Sequence, residues 1–369
     1  MRVILAGGGT GGHIYPAVTI AREFIRRDAK TGILFVGGQR GLESDIIPKE
    51  GFPLVMLNLE GIPRRISPKI LKSIWLAGKG LADTFKIIHE FKPDLVVGTG
   101  GYVCGPMVLA AALQGVPTAI QEQNAFPGLT NRILGKFVKR VFLGYPEAAG
   151  YFPSRKVNIT GNPIRYEEFE GITRNEAEKN LGLIGNWTNL LVFGGSQSAR
   201  RINQALLPVI GKLLETYPKL QIILMTGAKE YDNIKRNINS LNLTGDSLKR
   251  VKLVPYFYKI AEAYKAADIV LARAGAISLA EITCFGIPAI LVPYPYATNN
   301  HQEFNARVLE KAGAAKVILE AELTPEALWA NLKMMLSDAN LTRKMSKASL
   351  SLSKPQAVKN IVDELLKIV

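Results

Sequence analysis

The stretch LAGGGTGGHIYP, residues 5–16, closes a short apolar run with five glycines in six positions and sets a histidine, His13, where a helix begins. A buried strand that runs into a glycine turn and then a helix is the opening unit of a doubly wound α/β domain. Its glycines let backbone N–H groups approach a phosphate, whose charge the helix N-terminus favours. The unit recurs in LLVFGGSQSA, residues 190–199. Around these anchors, apolar strand-like runs alternate with helical patterns. The first half has them at 3–6, 33–36, 95–97, 118–121 and 141–143. The second has them at 190–193, 222–225, 251–254, 269–272 and 289–292. That rhythm predicts two Rossmann-like doubly wound domains of parallel sheet, facing each other across a cleft at the strands' carboxyl ends. The stretch GNPIR, residues 161–165, suits a connector, because Pro163 holds Asn162 extended.

With 369 residues, 47% of them hydrophobic, the chain can fill two cores and is not of the disordered class. Cys104 and Cys284 lie far apart in apolar surroundings, which argues against a disulfide framework and for a reducing compartment. Neither a signal peptide nor a membrane span is expected; the most apolar stretch, 102–120, is broken by Gly105, Pro106, Gly115 and Pro117. A net charge of +15 points to an anionic partner: nucleic acid, a phosphorylated substrate or an acidic membrane surface. The basic residues are dispersed without interleaved aromatics, so no nucleic acid partner is expected.

Gly7, Gly9 and Gly12 satisfy G-x-G-x-x-G, but the second strand ends in GGQRG with no carboxylate for a ribose, which argues against a dinucleotide cofactor. A helix N-terminus disfavours imidazolium, so His13 should be neutral and able to act as a general base; the plainer alternative is a histidine that only caps the helix. FGGSQSARRIN, residues 193–203, is a second anion-binding turn through Gly194, Gly195 and Ser196. ARAGAISLAEITCFG, residues 272–286, is a third, with Glu281 suited to a pair of ribose hydroxyls. Ser278 and Glu281 also have the spacing of a capping box. His89 reads as structural, and His301 stays open. No D-x-D pair or ligand cluster suggests a metal, and no cofactor is expected.

Seven stretches in order, GGGTGGHIYP, GTGGYVCGP, QEQNAFPGLTNR, GNPIR, FGGSQSARRIN, ARAGAISLAEI and NNHQEFNA, resemble the peptidoglycan N-acetylglucosaminyltransferases, GT-B enzymes of glycosyltransferase family 28. Cys104 and Ser198 depart from the family pattern, where serine and glycine are usual. The resemblance implies transfer of N-acetylglucosamine from UDP-N-acetylglucosamine to lipid I, giving lipid II. It implies an acceptor-binding, membrane-facing domain over 1–163 and a donor-binding domain over 164–345. The last helix, 356–369, would pack back on the first domain. His13 would be the base. Thr10, Gly11 and Gly12 would lie by the donor's phosphates and sugar, with Asn124 on the transferred sugar. Arg165 and Ser196 would contact the donor, Phe257 the uracil, and Gln302 the hydroxyls of N-acetylglucosamine. The turn Ala276, Ile277, Ser278, Leu279, Ala280, Glu281 would hold sugar, phosphate and ribose. The rival readings are a UDP-N-acetylglucosamine 2-epimerase, a GT-B transferase for another lipid, and a polyanion-binding protein.

A polyprenol-linked acceptor implies work at the cytoplasmic face of the cell membrane, as a peripheral protein beside other cell-wall synthesis proteins. RRISPKILKSIWLAGKGLADTFK, residues 64–86, places Ile70, Leu71, Ile74, Trp75, Leu81 and Phe85 on one helical face and Lys72, Lys79 and Lys86 on another, with Arg64 and Arg65 ahead. That is the pattern of an interfacial helix drawn to anionic lipid, and equally of a core helix with a basic outer face.

Overall fold

A computed structural model describes the chain except Arg40, residues 58–68, 167–169 and 195–199, Asn242 and Tyr258; over 69–79 it describes the backbone alone. The chain divides into two compact units, Met1–Ile164 with Lys354–Val369, and Arg165–Ser353, so it passes between them twice.

The first unit alternates β1 (Arg2–Gly7), α1 (Gly11–Arg27), β2 (Gly32–Gly38), α2 (Glu43–Lys49), β3 (Leu54–Leu57) and α3 (Lys69–Phe91). It continues with β4 (Leu95–Gly100), α4 (Cys104–Leu113), β5 (Thr118–Glu122), α5 (Leu129–Leu134), β6 (Arg140–Leu143) and β7 (Val157–Ile159). The strands form one sheet in the order β3-β2-β1-β4-β5-β6-β7, with every pairing parallel. Val3 to Ala6 and Leu95 to Val97 are fully buried, as central strands covered on both faces must be.

The second unit opens with α6 (Arg174–Leu181), β8 (Thr188–Phe193), α7 (Arg200–Thr216), β9 (Leu220–Met225), α8 (Tyr231–Asn239), α9 (Gly245–Lys249) and β10 (Val251–Val254). Then come α10 (Ile260–Ala266), β11 (Ile269–Ala272), α11 (Ala276–Cys284), β12 (Ala289–Leu291), α12 (His301–Lys311), β13 (Ala315–Val317), α13 (Pro325–Ser337) and α14 (Ala339–Ser351). Its parallel sheet runs β10-β9-β8-β11-β12-β13. Both sheets reverse strand order beside their first strand, between β1 and β4 and between β8 and β11; ligands of such sheets bind outside the strand ends at that point.

The last helix, α15 (Ala357–Leu366), belongs to the first unit. Its Val358, Ile361, Val362 and Leu365 share one buried cluster with Ile14, Ala17, Val18, Ala21 and Phe24 of α1. The other face of that sheet packs on α4 and on the C-terminal half of α3, where Ile88 is buried and Leu81, Ile87 and Phe91 lie against the core. Leu81 and Phe85 therefore part company: Leu81 faces the core, while Phe85 is 38% exposed.

Candidate active site

In the first unit, three neighbouring strands bring their carboxyl ends together. After β1, Gly8 and Gly9 lead to Thr10, the N-cap of α1, whose side chain makes no capping bond. His13 is held twice at its backbone: its N–H donates to the Thr10 carbonyl at 3.1 Å, and its carbonyl accepts from Thr99 Oγ1 of β4 at 2.8 Å. The half-exposed ring places Nδ1 3.0 Å from the Gly8 carbonyl oxygen. A carbonyl only accepts, so Nδ1 is the donor of this contact, which in a neutral ring leaves the lone pair on Nε2. Two glycines after β4 make room for this. A Cβ on Gly100 would come 3.0 Å from His13 Nε2, and one on Gly101 would come 2.6 Å from the Gly8 oxygen. Both have positive φ, +112° and +83°, which L side chains rarely adopt.

The glycine loop's amides are not all available to a phosphate. The Gly9 N–H donates to Glu43 Oε2 at 2.9 Å, and the Gly38 N–H at the end of β2 donates to Glu43 Oε1 at 2.8 Å. Glu43 is fully buried at the start of α2. A methyl group at Gly8, Gly37 or Gly41 would overlap its side chain. A carboxylate thus does stand at the end of the second strand, although GGQRG contains none; it returns from α2 and spends both oxygens on backbone rather than on a ribose. The three glycines around it were a readable signal of a tight seat, but nothing in the sequence said which side chain fills it.

At the end of β5, Asn124 is half-buried and fixed by Glu122, whose carboxylate accepts from the Asn124 N–H at 3.0 Å, Asn124 Nδ2 at 3.1 Å, the Gly128 N–H at 3.0 Å and Asn131 Nδ2 at 2.8 Å. Beside it lies a buried amide chain. Asn162 accepts from Gln121 Nε2 at 3.0 Å and donates through Nδ2 to the Gln123 carbonyl at 3.0 Å, while Gln123 Nε2 donates to the Thr99 carbonyl at 2.7 Å. Asn162 is accordingly anchored in the first unit, and the boundary follows Ile164. Half-buried Arg165 is the first residue of the second unit.

In the second unit, α11 starts at Ala276 with Gly275 as its N-cap, so Ser278 lies inside the helix and the capping-box alternative falls away. The helical ladder begins where the Leu279 N–H donates to the Gly275 carbonyl at 2.9 Å, with the N–H groups of Ile277 and Ser278 ahead of it. The Leu279 side chain is buried in the core. Glu281 is half-exposed and accepts from Tyr264 Oη at 2.9 Å. Tyr264 is clamped between Phe285, stacked at 5.5 Å, and Phe193, edge-on at 5.8 Å. Burial and the Glu281 charge push the tyrosine hydroxyl far above its ordinary pKa, so it stays a donor that fixes the carboxylate.

Gln302, early in α12, accepts through Oε1 from the N–H groups of Ala274 at 3.2 Å and Tyr294 at 3.0 Å. Two donors on one atom identify it as the oxygen and turn the Gln302 amide NH2 the other way. Buried Arg273 holds the same corner, donating to the carbonyls of Val292 and Pro293, pairing with Glu320 and lying over the Tyr294 ring. His301 Nδ1 bonds the Thr298 carbonyl at 2.8 Å. Half-buried Phe257 follows β10, an edge strand of that sheet. Ser196, Arg64 and Arg65 lie outside the described residues, as do the side chains of Lys72, Ile74, Trp75 and Lys79. Among the described residues, no group of three His, Cys, Asp or Glu could hold a metal ion.

Residues 3–143 match the glycosyltransferase family 28 N-terminal domain and residues 189–364 the family 28 C-terminal domain. The chain is 45% identical over 362 residues, 98% of either chain, to the UDP-N-acetylglucosamine–N-acetylmuramyl-(pentapeptide) pyrophosphoryl-undecaprenol N-acetylglucosamine transferase of Thermoanaerobacter sp. strain X514. Among solved structures, Acinetobacter baumannii MurG superposes with a TM-score of 0.77 at 28% identity, over 99% of each chain. The UDP-N-acetylglucosamine 2-epimerase of Neisseria meningitidis, bound to UDP-N-acetylglucosamine, superposes at 0.66 with 16% identity over the full length of both, a likeness of fold alone.

Proposed function

The chain belongs to glycosyltransferase family 28, and from that premise we propose that it moves N-acetylglucosamine from UDP-N-acetylglucosamine to the C4 hydroxyl of the muramyl sugar of lipid I, making lipid II for peptidoglycan. It is a UDP-N-acetylglucosamine-dependent hexosyltransferase. The observation that carries the reading is the 45% identity, end to end, with a relative named for that reaction.

The side chains fit roles in an inverting displacement. His13 Nε2 takes the proton of the acceptor O4 as O4 bonds to the anomeric carbon. The bond from that carbon to the β-phosphate oxygen breaks on the opposite face, so an α-linked donor yields a β-linked product. The proton ends on His13, and the electron pair on UDP. The N–H groups that open α11 face the growing diphosphate charge, together with the turn that contains Ser196. Glu281, held by Tyr264, receives the ribose hydroxyls. The outward NH2 of Gln302 donates to hydroxyls of N-acetylglucosamine. Thr10, Gly11, Gly12, Asn124 and Arg165 complete the donor's surroundings, and Phe257 meets the uracil.

The lipid-linked acceptor brings the protein to the membrane. Among the described residues no helix is long and apolar enough to cross one. We place it as a peripheral protein on the cytoplasmic face, drawn to anionic lipid by residues 64–79 and working beside other cell-wall synthesis proteins.

The test supplies labelled UDP-N-acetylglucosamine with and without a short-chain lipid I analogue, in EDTA. Equal amounts of disaccharide and UDP are expected only with the acceptor, and turnover should persist in the chelator because helix termini carry the diphosphate charge. Conversion of the donor alone would instead mark an epimerase. Duplex DNA binding with a steep salt dependence and no affinity for UDP-sugars would mark a polyanion-binding protein.

A further inference from the structure

We propose that Glu43 is a positioning residue for the base, acting on His13 through the Gly8–Gly9 peptide group; the inference rests on the transferase reading of His13. The Gly9 N–H and the Gly8 C=O belong to one trans peptide and point in opposite directions. Glu43 Oε2 accepts from that N–H at 2.9 Å, and His13 Nδ1 donates to that carbonyl at 3.0 Å. A buried carboxylate and an imidazole therefore grip the two ends of a single peptide plane.

The chemistry follows from polarisation along a hydrogen-bonded chain. The negative carboxylate pulls on the N–H, the peptide's carbonyl oxygen becomes richer in electrons, and its bond to Nδ1–H strengthens. That bond holds the Nδ1–H tautomer, keeps the Nε2 lone pair for the acceptor hydroxyl, and favours the imidazolium formed when Nε2 takes its proton. The logic is that of a carboxylate bonded directly to a catalytic histidine, with one peptide group interposed. No proton moves to Glu43. The glycines support the arrangement: Gly8 and Gly41 leave room for the carboxylate, and Gly101 leaves room for the carbonyl.

Among the described residues, neighbouring elements bring in few other titratable groups. The Tyr102 hydroxyl, between β4 and α4, lies against Gly38, and the Tyr15 ring of α1 lies against Gly11. The Cys104 thiol at the start of α4 is pushed up to about 12 by burial. Glu122 of β5 is engaged with the Asn124 loop. Among the described residues, Glu43 is the charged group bonded to the peptide that accepts from His13.

The experiment combines NMR of the resting protein with kinetics. The three histidines give few ring signals, and His13→Gln identifies the relevant set. Wild type is expected to show the Nδ1–H tautomer at His13, and a Gly9 amide proton whose shift titrates with the His13 midpoint. In Glu43→Gln the His13 midpoint should move down by about 0.5–1 unit, since a charge favouring imidazolium is gone. The acidic limb of kcat should follow it, and kcat should fall about 10- to 100-fold with a smaller change in either KM. Glu43→Asp should recover part of the midpoint and of kcat. An unchanged midpoint and tautomer in a folded Glu43→Gln protein, with any loss confined to KM, would overturn the proposal. So would an Nε2–H tautomer with an unresponsive Gly9 amide in wild type, a result that needs no variant to fold. The ring measurements use no substrate. Wild type that lacks acceptor-dependent transfer would sink the proposed reaction while leaving the His13–Glu43 coupling to be judged by NMR.

Discussion

At the scale of single residues, the chemistry asks one atom to be free and everything around it to be fixed. His13, as the proposed base, would meet that demand: its Nδ1 is committed to Gly8, its backbone to Thr10 and Thr99, and its Nε2 edge lies over the cleared space at Gly100. Replacing His13, a residue of the first unit, by alanine removes the proposed proton acceptor. Turnover should therefore fall about 10²- to 10⁴-fold while UDP affinity, read by calorimetry, stays within about threefold of wild type. An alanine variant with normal turnover would remove the assignment. The place of His13 at the start of α1 was legible in the sequence because a histidine at a glycine-rich helix start is an unusual local pattern. Glu43 was not, because its meaning comes from β2 and the loop after β1 meeting in space. Glu281 was half-legible. Its spacing from Ser278 suited a capping box as well as a ligand contact; the helix start at Ala276 removes the capping box, and the ribose contact is a proposal.

At the scale of elements, α1 carries the loop with His13 at one end and is pinned at the other by charge. Glu23 is buried and accepts from Arg26 and from Arg27 Nε, the latter at 2.7 Å; Arg27 also bonds Asp363 at 2.5 Å and the Lys359 carbonyl at 2.9 Å in α15. Burial alone would raise the Glu23 pKa, but the two guanidinium groups outweigh it and hold the carboxyl below 4.5. A carboxyl lowered in the folded state adds stability that is fully present above its unfolded pKa and is lost as pH falls through the folded one. Glu23→Gln should thus cost about 1–2 kcal/mol at pH 7. The gap in Tm should close as pH drops below 4.5, and an equal gap at acid pH would exclude the ion cluster as its cause. The ten strand-like runs in the sequence all became strands, because continuous apolar runs are what a two-sided sheet needs. Of the strands left unread, β7 and β13 are three-residue, part-exposed sheet edges interrupted by Asn158 and Lys316 and so free of that requirement, while β3 is an apolar edge run, LVML, too short to stand out.

At the scale of the whole molecule, the net charge of +15 must be reconciled with the base proposed at His13 and the diphosphate proposed to lie at helix ends. Those two tasks need few cations, so the surplus is left for a surface. The C-terminal half of α3 gives its apolar side to the core, which restricts any lipid contact to the part of the helix before Gly80 and the residues leading into it. Lys72 and Lys79 are seven residues apart, two helical turns, and Lys86, the next in the series, is 74% exposed. Each lysine close to an anionic bilayer adds about 1 kcal/mol of attraction, so Lys72→Gln with Lys79→Gln should weaken vesicle binding about 30-fold. Binding of the wild type should require anionic lipid and fall with added salt, because the attraction acts within a Debye length. Transfer to a long-chain acceptor embedded in vesicles should drop with the lost binding, and transfer to a short-chain acceptor in solution should drop far less. Equal losses on the two acceptors would place the lysines at the sugar rather than at the membrane. Vesicle binding indifferent to both lysines and salt would make α3 a core helix along its whole length, with the surplus charge serving another anion.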